Sequence, residues 1–230
     1  MKDSKSALYL FVSASLVVII SSVFKYENIV MLAKPMIIPS AFFYYLQTKK
    51  TALNISIASI FVSFFVGDMI ILVLGDAAIR IILLTFLVGY LILLKTIVED
   101  LIRIEFNFSS LLYVFILMIL LAGILYFILD LPITQIIDNY WIFMIYGVVL
   151  ITLVLLATYY YVSNQNINSF NLLIATLAML LSDLFYCLYN YVMKSSILDA
   201  MNLFTQFLSY YLLIKYYNSR IVTNKVKLII

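Results

Sequence analysis

Hydrophobic positions in this sequence form eight long runs that are separated by short polar segments. The runs lie near residues 7–24, 29–46, 52–74, 77–95, 108–129, 140–161, 169–193 and 197–217. Each run has about 20 residues, the number that an α-helix needs to cross a hydrocarbon core of about 30 Å. The apolar positions are continuous and do not alternate, which favours helices over a β-barrel. The pattern predicts an all-α, polytopic transmembrane bundle that forms a single domain over residues 1–230.

The composition agrees with this prediction and removes several classes of chemistry. Hydrophobic residues make up 66% of the chain and charged residues only 11%, whereas a soluble domain has roughly a quarter of its residues charged. The chain has no histidine, which excludes histidine-dependent nucleophiles and His-ligated metals. The single Cys187 allows no intramolecular disulfide. We expect no cofactor, no metal and, because the basic residues are spread along the chain, no nucleic-acid partner.

The distribution of basic residues predicts the orientation in the membrane. Eight spans place both termini on one side, and the apolar run after Lys5 is expected to be a retained first helix rather than a cleaved signal. That side collects Lys2, Lys5, Lys49, Lys50, Lys95, Arg103, Lys215, Arg220, Lys225 and Lys227. The other side collects Lys25, Arg80 and Lys194. By the positive-inside rule both termini are cytoplasmic, and we expect a multi-pass protein of a bacterial inner membrane.

Tyrosines cluster where the predicted helix ends would meet the lipid headgroups. The clusters are Tyr44–Tyr45, Tyr159–Tyr161 and Tyr216–Tyr217. Tyrosine is enriched at both membrane–water interfaces, where its ring sits at the level of the headgroups. The sequence therefore predicts an aromatic belt at these positions.

Three ionisable residues lie well inside the predicted spans: Lys34, Asp68 and Asp183. An intramembrane charge costs at least about 2.5–3.5 kcal/mol on insertion scales, so such residues are kept where they pair or function. Lys34 is close enough to a helix end to snorkel to the interface. If Lys34 formed a purely structural ion pair with one aspartate, the other carboxylate would have no partner of opposite charge. The second carboxylate therefore favours a functional site.

Small and polar residues around the two aspartates predict where the site lies. Stripes of small residues are typical of helix-packing seams, and Asp68 and Asp183 each follow directly after a residue of such a stripe. The stripes are Ser59, Ser63 and Gly67 on the third span, and Asn171, Ala175, Ala178 and Ser182 on the seventh. Polar faces are formed by Asp183, Tyr186 and Asn190, and by Asn202, Thr205, Gln206 and Ser209. We expect a polar cavity, open to the extracytoplasmic side and lined by spans two, three, seven and eight, that accepts a lipid-like ligand.

Four short motifs, in order, resemble the YhhN-like lysoplasmalogenase family over most of the chain. They are Ala33-Lys34-Pro35, Phe65-Val66-Gly67-Asp68, Leu181-Ser182-Asp183 on the seventh of eight spans, and Tyr210-Tyr211. The resemblance implies a membrane hydrolase that cleaves the vinyl-ether bond of lysoplasmalogens, with a lysolipid substrate taken from the bilayer. It also implies that Lys34, Asp68 and Asp183 are active-site residues.

The chemistry of that reaction is compatible with this set of residues. A carboxylic acid can protonate the alkene carbon, and a carboxylate can guide water to the resulting cation, so two carboxylates suffice without histidine. We assign Asp183 as the acid and Asp68 as the base, and the reverse assignment stays open. We expect Tyr186, Asn190, Asn202, Gln206 and Ser209 to contact the substrate.

The sequence departs from the family pattern at two positions, and other functions stay open. The stretch Phe86–Ile97 lacks the family's histidine, and Tyr210-Tyr211 is not followed by the usual glutamine, for which Gln206 is the nearest substitute. A different substrate and a loss of hydrolysis are both compatible with these departures. The alternatives from other classes are a small proton-coupled transporter and a non-catalytic membrane protein. Homo-oligomerisation is also left open.

Overall fold

A computed structural model describes residues 3–49, 53–104, 108–131 and 134–227, and within these ranges the regular secondary structure is helical throughout. The α-helices are α1 Asp3–Val23, α2 Glu27–Thr48, α3 Ile55–Leu74, α4 Ile79–Leu101, α5 Phe108–Leu129, α6 Thr134–Asp138, α7 Tyr140–Ser163, α8 Ile167–Cys187 and α9 Ser196–Lys227. A 3₁₀ turn, Gly75–Ala78, joins α3 to α4, and a π-helical turn, Leu188–Val192, continues α8. This confirms the all-α prediction.

Eight of the described helices are long and apolar enough to cross a membrane. They are all the helices above except the five-residue α6, with α8 and its π-helical turn forming one span from Ile167 to Val192. The chain is therefore an integral multi-pass membrane protein, and its eight spans match the eight predicted runs in order. Which side of the membrane the termini occupy stays a prediction.

Two helices continue well beyond their predicted C-terminal ends. The predicted end of α4 is residue 95, but the helix continues to Leu101. Lys95, at the predicted end, and Glu99, on the extension, are both exposed, and their four-residue spacing puts them side by side on the helix surface. α9 continues past residue 217 to Lys227. In both cases polar residues were taken as the helix end, although a helix can extend beyond the hydrocarbon into water.

The contacts divide the chain into two compact units. The terminal unit comprises Met1–Ala58 and Ile174–Ile230. In it α1 packs against α2 and α9, and α2 packs against α9. The Ser22 hydroxyl donates a hydrogen bond to the Asp199 carboxylate at one end of this helix group. At the other end Asn218 Nδ2 donates to Thr48 Oγ1 over 2.9 Å. Side-chain hydrogen bonds thus join helices at both ends of the terminal unit.

The central unit comprises Ser59–Leu173. In it α7 packs against both α4 and α5, and α3 meets α4 through two reciprocal contacts between a glycine and a phenylalanine. A Cβ placed on Gly67 would lie 2.7 Å from the Phe86 ring, and one placed on Gly89 would lie 2.5 Å from the Phe64 ring. The two rings pack against each other with centroids 5.6 Å apart. The two glycines thus allow α3 and α4 to approach each other more closely than any residue with a side chain would.

Five of the seven tyrosines predicted to form an aromatic belt are buried in the protein, so the interpretation was wrong for these five, and Tyr159 and Tyr161 are partly exposed. Tyr45, Tyr216 and Tyr217 are fully buried in the terminal unit, and Tyr160 is 5% exposed in the central unit. Tyr45 Oη accepts a hydrogen bond of 3.4 Å from the Asn54 amide. A tyrosine can be buried when its hydroxyl finds a partner, and a helix-end position is therefore not enough to place the ring in the headgroups.

Candidate functional site

Asp183 lies beside a polar contact between the last two spans, in the terminal unit. The preceding residue, Ser182, is 4% exposed and donates a hydrogen bond of 2.9 Å to Asn202 Oδ1 on α9. Ala175 and Ala178 on the same stripe are also buried, which confirms this stripe as a packing seam. Because one residue along an α-helix turns the side chain by about 100°, Asp183 points away from the Ser182 contact. Its side chain is half-buried.

The polar face predicted on the last span divides into buried and partly exposed positions. Ser209 is 1% exposed, and its hydroxyl donates a hydrogen bond of 2.7 Å to the Gln206 carbonyl of its own helix. Asn202 is 9% exposed and accepts the hydrogen bond from Ser182. Thr205 and Gln206 stay partly exposed. Of the three residues on this span predicted to contact a substrate, Gln206 is therefore the one whose position leaves its side chain most accessible.

Lys34 lies in a part of α2 where two prolines interrupt the hydrogen bonds of the backbone. Lys34 is half-buried and seven residues from the start of the helix, which places its Cα about 10 Å along the axis. Pro35 and Pro39 are both inside α2. A proline cannot donate to the carbonyl four residues earlier, so the Met31 and Pro35 carbonyls are released for other donors. Lys34 is thus accompanied by backbone acceptors that an uninterrupted helix would not offer.

The end of α8 changes from α-helical to π-helical geometry two residues after Tyr186. The Met193 amide donates to the Leu188 carbonyl over 2.9 Å, an i→i+5 bond. The sequence predicts a regular helix over residues 169–193, on which Asp183, Tyr186 and Asn190 share one face. The wider π-helical turn changes the angle per residue, so Asn190 departs from that register. π-Turns within helices occur frequently at functional sites, and nothing in the local sequence indicated this one.

Asn190 contacts Lys194, a residue that is not among the predicted site residues. Lys194 Nζ donates a hydrogen bond of 2.9 Å to Asn190 Oδ1. The same ammonium lies 4.7 Å from the centre of the Tyr189 ring, which is cation–π distance. The sequence gives no signal for this contact, because Lys194 lies beyond the π-helical turn, in the non-helical connection before α9.

Asp68 belongs to the central unit and is the most deeply buried of the three predicted ionisable residues. It is 3% exposed and lies six residues before the end of α3, so its Cα is about 9 Å along the axis from that end. It follows Gly67, whose missing side chain admits the Phe86 ring. Asp68 is the only charged residue of α3. Asp68 thus lies next to one of the two close glycine–phenylalanine contacts between α3 and α4.

The structure places the predicted residues in two groups. Those of the terminal unit are Lys34, Asp183, Tyr186, Asn190, Asn202, Gln206 and Ser209, and Asp68 is in the central unit. Residues of the first group form three hydrogen bonds described above: Ser182 donates to Asn202, Lys194 donates to Asn190, and Ser209 donates to the Gln206 carbonyl. That Asp68 shares a cavity with Asp183 and Lys34 stays a prediction.

The described residues contain no group of three or more Cys, Asp or Glu side chains with a geometry for holding a metal ion. The chemistry that these residues can perform themselves is proton transfer by carboxyl groups and charge recognition by lysine.

No protein-family model matches this chain, and comparisons with curated proteins and with solved structures find no significant match. The resemblance to the YhhN-like family therefore stays a prediction from short motifs. On its own residues, the chain is an integral multi-pass membrane protein built from α-helices.

Proposed function

We propose that this protein hydrolyses the vinyl-ether bond of lysoplasmalogen-like lysolipids within the membrane, with Asp183 as the acid and Asp68 as the base. The observation that carries the proposal is the burial of Asp68, which is 3% exposed in an otherwise uncharged membrane-spanning helix. Retaining a carboxyl group there has a cost of about 2.5–3.5 kcal/mol on insertion scales, and such residues mark functional sites by default. A second intramembrane carboxyl group, that of Asp183, supplies the partner that acid–base chemistry needs.

The reaction balances with water as the only co-reactant. The protonated carboxyl group, assigned to Asp183, transfers its proton to the outer alkene carbon and leaves a cation that is shared by the inner carbon and the ether oxygen. The carboxylate, assigned to Asp68, stabilises this cation and removes a proton from the attacking water. When the resulting hemiacetal breaks its bond to the glycerol oxygen, the protonated Asp68 donates its proton to that oxygen and the Asp183 carboxylate removes the hydroxyl proton. Both carboxyl groups then have their starting protonation states. The products are a fatty aldehyde and a glycerophospho-base with a free hydroxyl group.

Lys34 has an electrostatic role in this proposal. An ammonium group near a carboxyl group favours its ionised form, so Lys34 would keep one of the two carboxyl groups available as the base. The carbonyls released by Pro35 and Pro39 offer further acceptors along the same helix. Gln206 and Tyr186 are partly exposed and are the residues we propose for contact with the glycerol backbone.

The decisive experiment measures aldehyde release by the purified protein from a vinyl-ether lysolipid and from its saturated ether analogue. We expect turnover of the vinyl ether only, and a loss of at least about 10²-fold, the contribution of a general acid or base, in Asp68→Asn and Asp183→Asn. Glu27→Gln is the matched control, because Glu27 is exposed. Because the mechanism adds a proton to the outer alkene carbon, hydrolysis in D₂O should give an aldehyde with one deuterium on carbon 2 when the product is trapped promptly. Equal turnover in the wild type and both aspartate variants would refute the proposal.

A second candidate, a small proton-coupled transporter, is favoured by the two interruptions in the helices of the terminal unit. Transporters bind substrates where spans are discontinuous, and here α2 contains two prolines while α8 ends in a π-helical turn. In that case Asp68 and Asp183 would relay protons. Substrate-driven acidification of liposomes that contain the protein, in the absence of aldehyde release, would favour transport over hydrolysis.

The location we propose is the inner membrane of a bacterium. Proteins that span the bacterial outer membrane are β-barrels, whereas this chain crosses its membrane by helices. Fractionation of the two membranes from an expressing bacterium tests this directly, and recovery with the outer membrane would contradict it.

A further inference from the structure

The ammonium group of Lys194 is held in position by two neutral groups at the end of the seventh span. Lys194 Nζ donates to Asn190 Oδ1 over 2.9 Å and lies 4.7 Å from the centre of the Tyr189 ring. The Lys194 side chain is exposed. Because an amide oxygen and an aromatic ring carry no net charge, they orient the ammonium without neutralising it. This is the arrangement of a preformed binding point for an anion, since the ordering of a flexible lysine has already taken place.

The position of this group along the helix corresponds to the depth of a lipid headgroup. Lys194 lies two residues beyond the end of the membrane span at Val192, in the connection before α9, and its side chain reaches back to Asn190. The ammonium therefore lies near the level of Asn190. Asn190 is seven residues from Asp183, which corresponds to about 10 Å along the axis. Asp183 and Asn190 lie on one continuous helical segment, α-helical as far as Cys187 and π-helical from Leu188, so about 10 Å is an approximate axial separation.

That separation fits the dimensions of a lysophospholipid. Six bonds join the phosphorus to the vinyl-ether carbon, and at about 1.25 Å of extension per bond they span roughly 7–8 Å. A hydrogen bond from the ammonium to a phosphate oxygen adds about 2.8 Å. One molecule can therefore place its phosphate at Lys194 and its ether bond beside Asp183.

We propose that Lys194, positioned by Asn190 and Tyr189, binds the phosphate group of the lipid headgroup and makes the protein selective for phosphate-bearing lysolipids. The distance was measured from Asp183 because the proposed hydrolase function places the ether bond there, so this part of the inference rests on that function. The anion-binding point itself rests only on the contacts of Lys194. A lysine binds phosphate as a point charge through charge-assisted hydrogen bonds. Loss of that charge would weaken binding of the phosphate-bearing lipid and leave the affinity for a phosphate-free lipid unchanged.

The chain offers a matched control for this charge. Lys25 is exposed in the connection between α1 and α2, a connection that the span order places at the same membrane face as the one after α8. Lys25→Met and Lys194→Met remove the same charge and keep a side chain of similar length. Any effect of net charge on the membrane surface is therefore the same in the two variants.

The experiment measures binding of a radiolabelled saturated alkyl-ether lysophospholipid to the full-length protein in nanodiscs. This lipid has no vinyl-ether bond, so binding is measured separately from hydrolysis. Competitors are the alkylglycerol that lacks phosphate and inorganic phosphate. We expect Lys194→Met to lower the affinity for the phospholipid about tenfold, the low end for a hydrogen bond to a charged group. We expect Lys25→Met to leave it unchanged, Lys194→Arg to restore most of it, and inorganic phosphate at millimolar concentration not to compete.

Each outcome decides the proposal. If Lys194→Met binds the phospholipid as tightly as the wild type, or if it weakens binding of the alkylglycerol equally, phosphate recognition by Lys194 is refuted. Competition by inorganic phosphate that depends on Lys194 would show a site for soluble phosphate and overturn the headgroup assignment. Binding that depends on Lys194 without any vinyl-ether turnover would support the headgroup site and refute the hydrolase. Where turnover occurs, Lys194→Met would raise KM and leave kcat within about twofold, the pattern of lost uniform binding.

Discussion

Substitution of Gly67 by alanine tests whether the contact between Gly67 and Phe86 in the central unit is as tight as the structure indicates. The new Cβ would lie 2.7 Å from Cε2 of the Phe86 ring and 3.0 Å from its Cδ2. Ordinary contact between carbon atoms begins at about 3.5 Å, so the ring has to retreat by roughly 0.8 Å. Phe86 is 8% exposed and packs against Phe64, which restricts where it can move. Gly67→Ala should therefore destabilise the protein.

The magnitude follows from two opposing contributions. Overpacking of a well-packed contact costs typically about 1–3 kcal/mol. Replacement of a helical glycine by alanine favours the folded state by roughly 0.5–1 kcal/mol. Gly123 on α5 has no heavy atom within 4 Å of the corresponding Cβ position in the described structure, so Gly123→Ala retains only the favourable contribution. The difference in stability between the two variants is then about 1–3 kcal/mol, because the contribution of the helix backbone cancels.

The assay is equilibrium unfolding in mixed detergent micelles, titrated with a denaturing detergent and followed by circular dichroism. The double variant Gly67→Ala/Phe86→Leu provides a rescue, because a smaller side chain at position 86 leaves room for the new methyl group. We expect the two substitutions to be coupled favourably by about 1 kcal/mol, within the range for residues in contact. Since Asp68 follows Gly67, we also expect Gly67→Ala to lower any hydrolytic activity, and Gly123→Ala to preserve it.

Equal stability of Gly67→Ala and Gly123→Ala, together with a coupling of zero to Phe86→Leu, would refute this reasoning. That result would mean that α3 and α4 are farther apart than the glycine contacts require. It would also remove the argument that Asp68 is held next to a rigid helix contact. A loss of stability without rescue by Phe86→Leu would contradict the assignment of the clash to the Phe86 ring.

Two further predictions use the same titration. Ser182→Ala removes the hydrogen bond to Asn202 and should lower the free energy of unfolding by about 0.6 kcal/mol, the mean for interhelical side-chain hydrogen bonds in a membrane protein. A double-mutant cycle with Asn202→Ala should give a coupling energy of the same size. Additive effects of the two substitutions would contradict the contact. Tyr217→Ala removes a fully buried ring and should cost about 3–5 kcal/mol. The control is Tyr126→Ala, at a residue that is 72% exposed, and it should lower the free energy of unfolding by less than about 0.5 kcal/mol. Similar losses of stability in the two tyrosine variants would restore the aromatic-belt interpretation for Tyr217.

The number and order of the membrane spans could be read from the sequence because a single physical requirement decides them. Every backbone group must be hydrogen-bonded within a segment that crosses hydrocarbon, so continuous apolar runs of about 20 residues become helices wherever they occur. The small-residue stripe through Ala175, Ala178 and Ser182 also predicted a buried face correctly. Both features depend on local sequence and on the solvent, and neither depends on which helix is the neighbour.

The burial of individual side chains was not determined in the same way. Tyr45, Tyr216 and Tyr217 have the positions of an interfacial belt in the sequence, yet the fold buries all three. Their environment depends on which helix faces them, and a helix-end position carries no information about that. The same reason explains why Ser209, predicted to face a substrate, is 1% exposed and bonded to its own helix.

The arrangement at the end of α8 was decided by the tertiary structure alone. The sequence placed Lys194 in a connecting segment, whereas the structure adds the π-helical turn that brings its ammonium to Asn190 and to the Tyr189 ring. A π-helical turn has no strong local propensity and is stabilised by packing around it. The sequence by itself thus determined the membrane-spanning helices and the ionisable residues inside them, because transfer into hydrocarbon acts on each segment separately. Only the tertiary structure decided which polar groups meet, because that depends on the packing of helices distant in sequence.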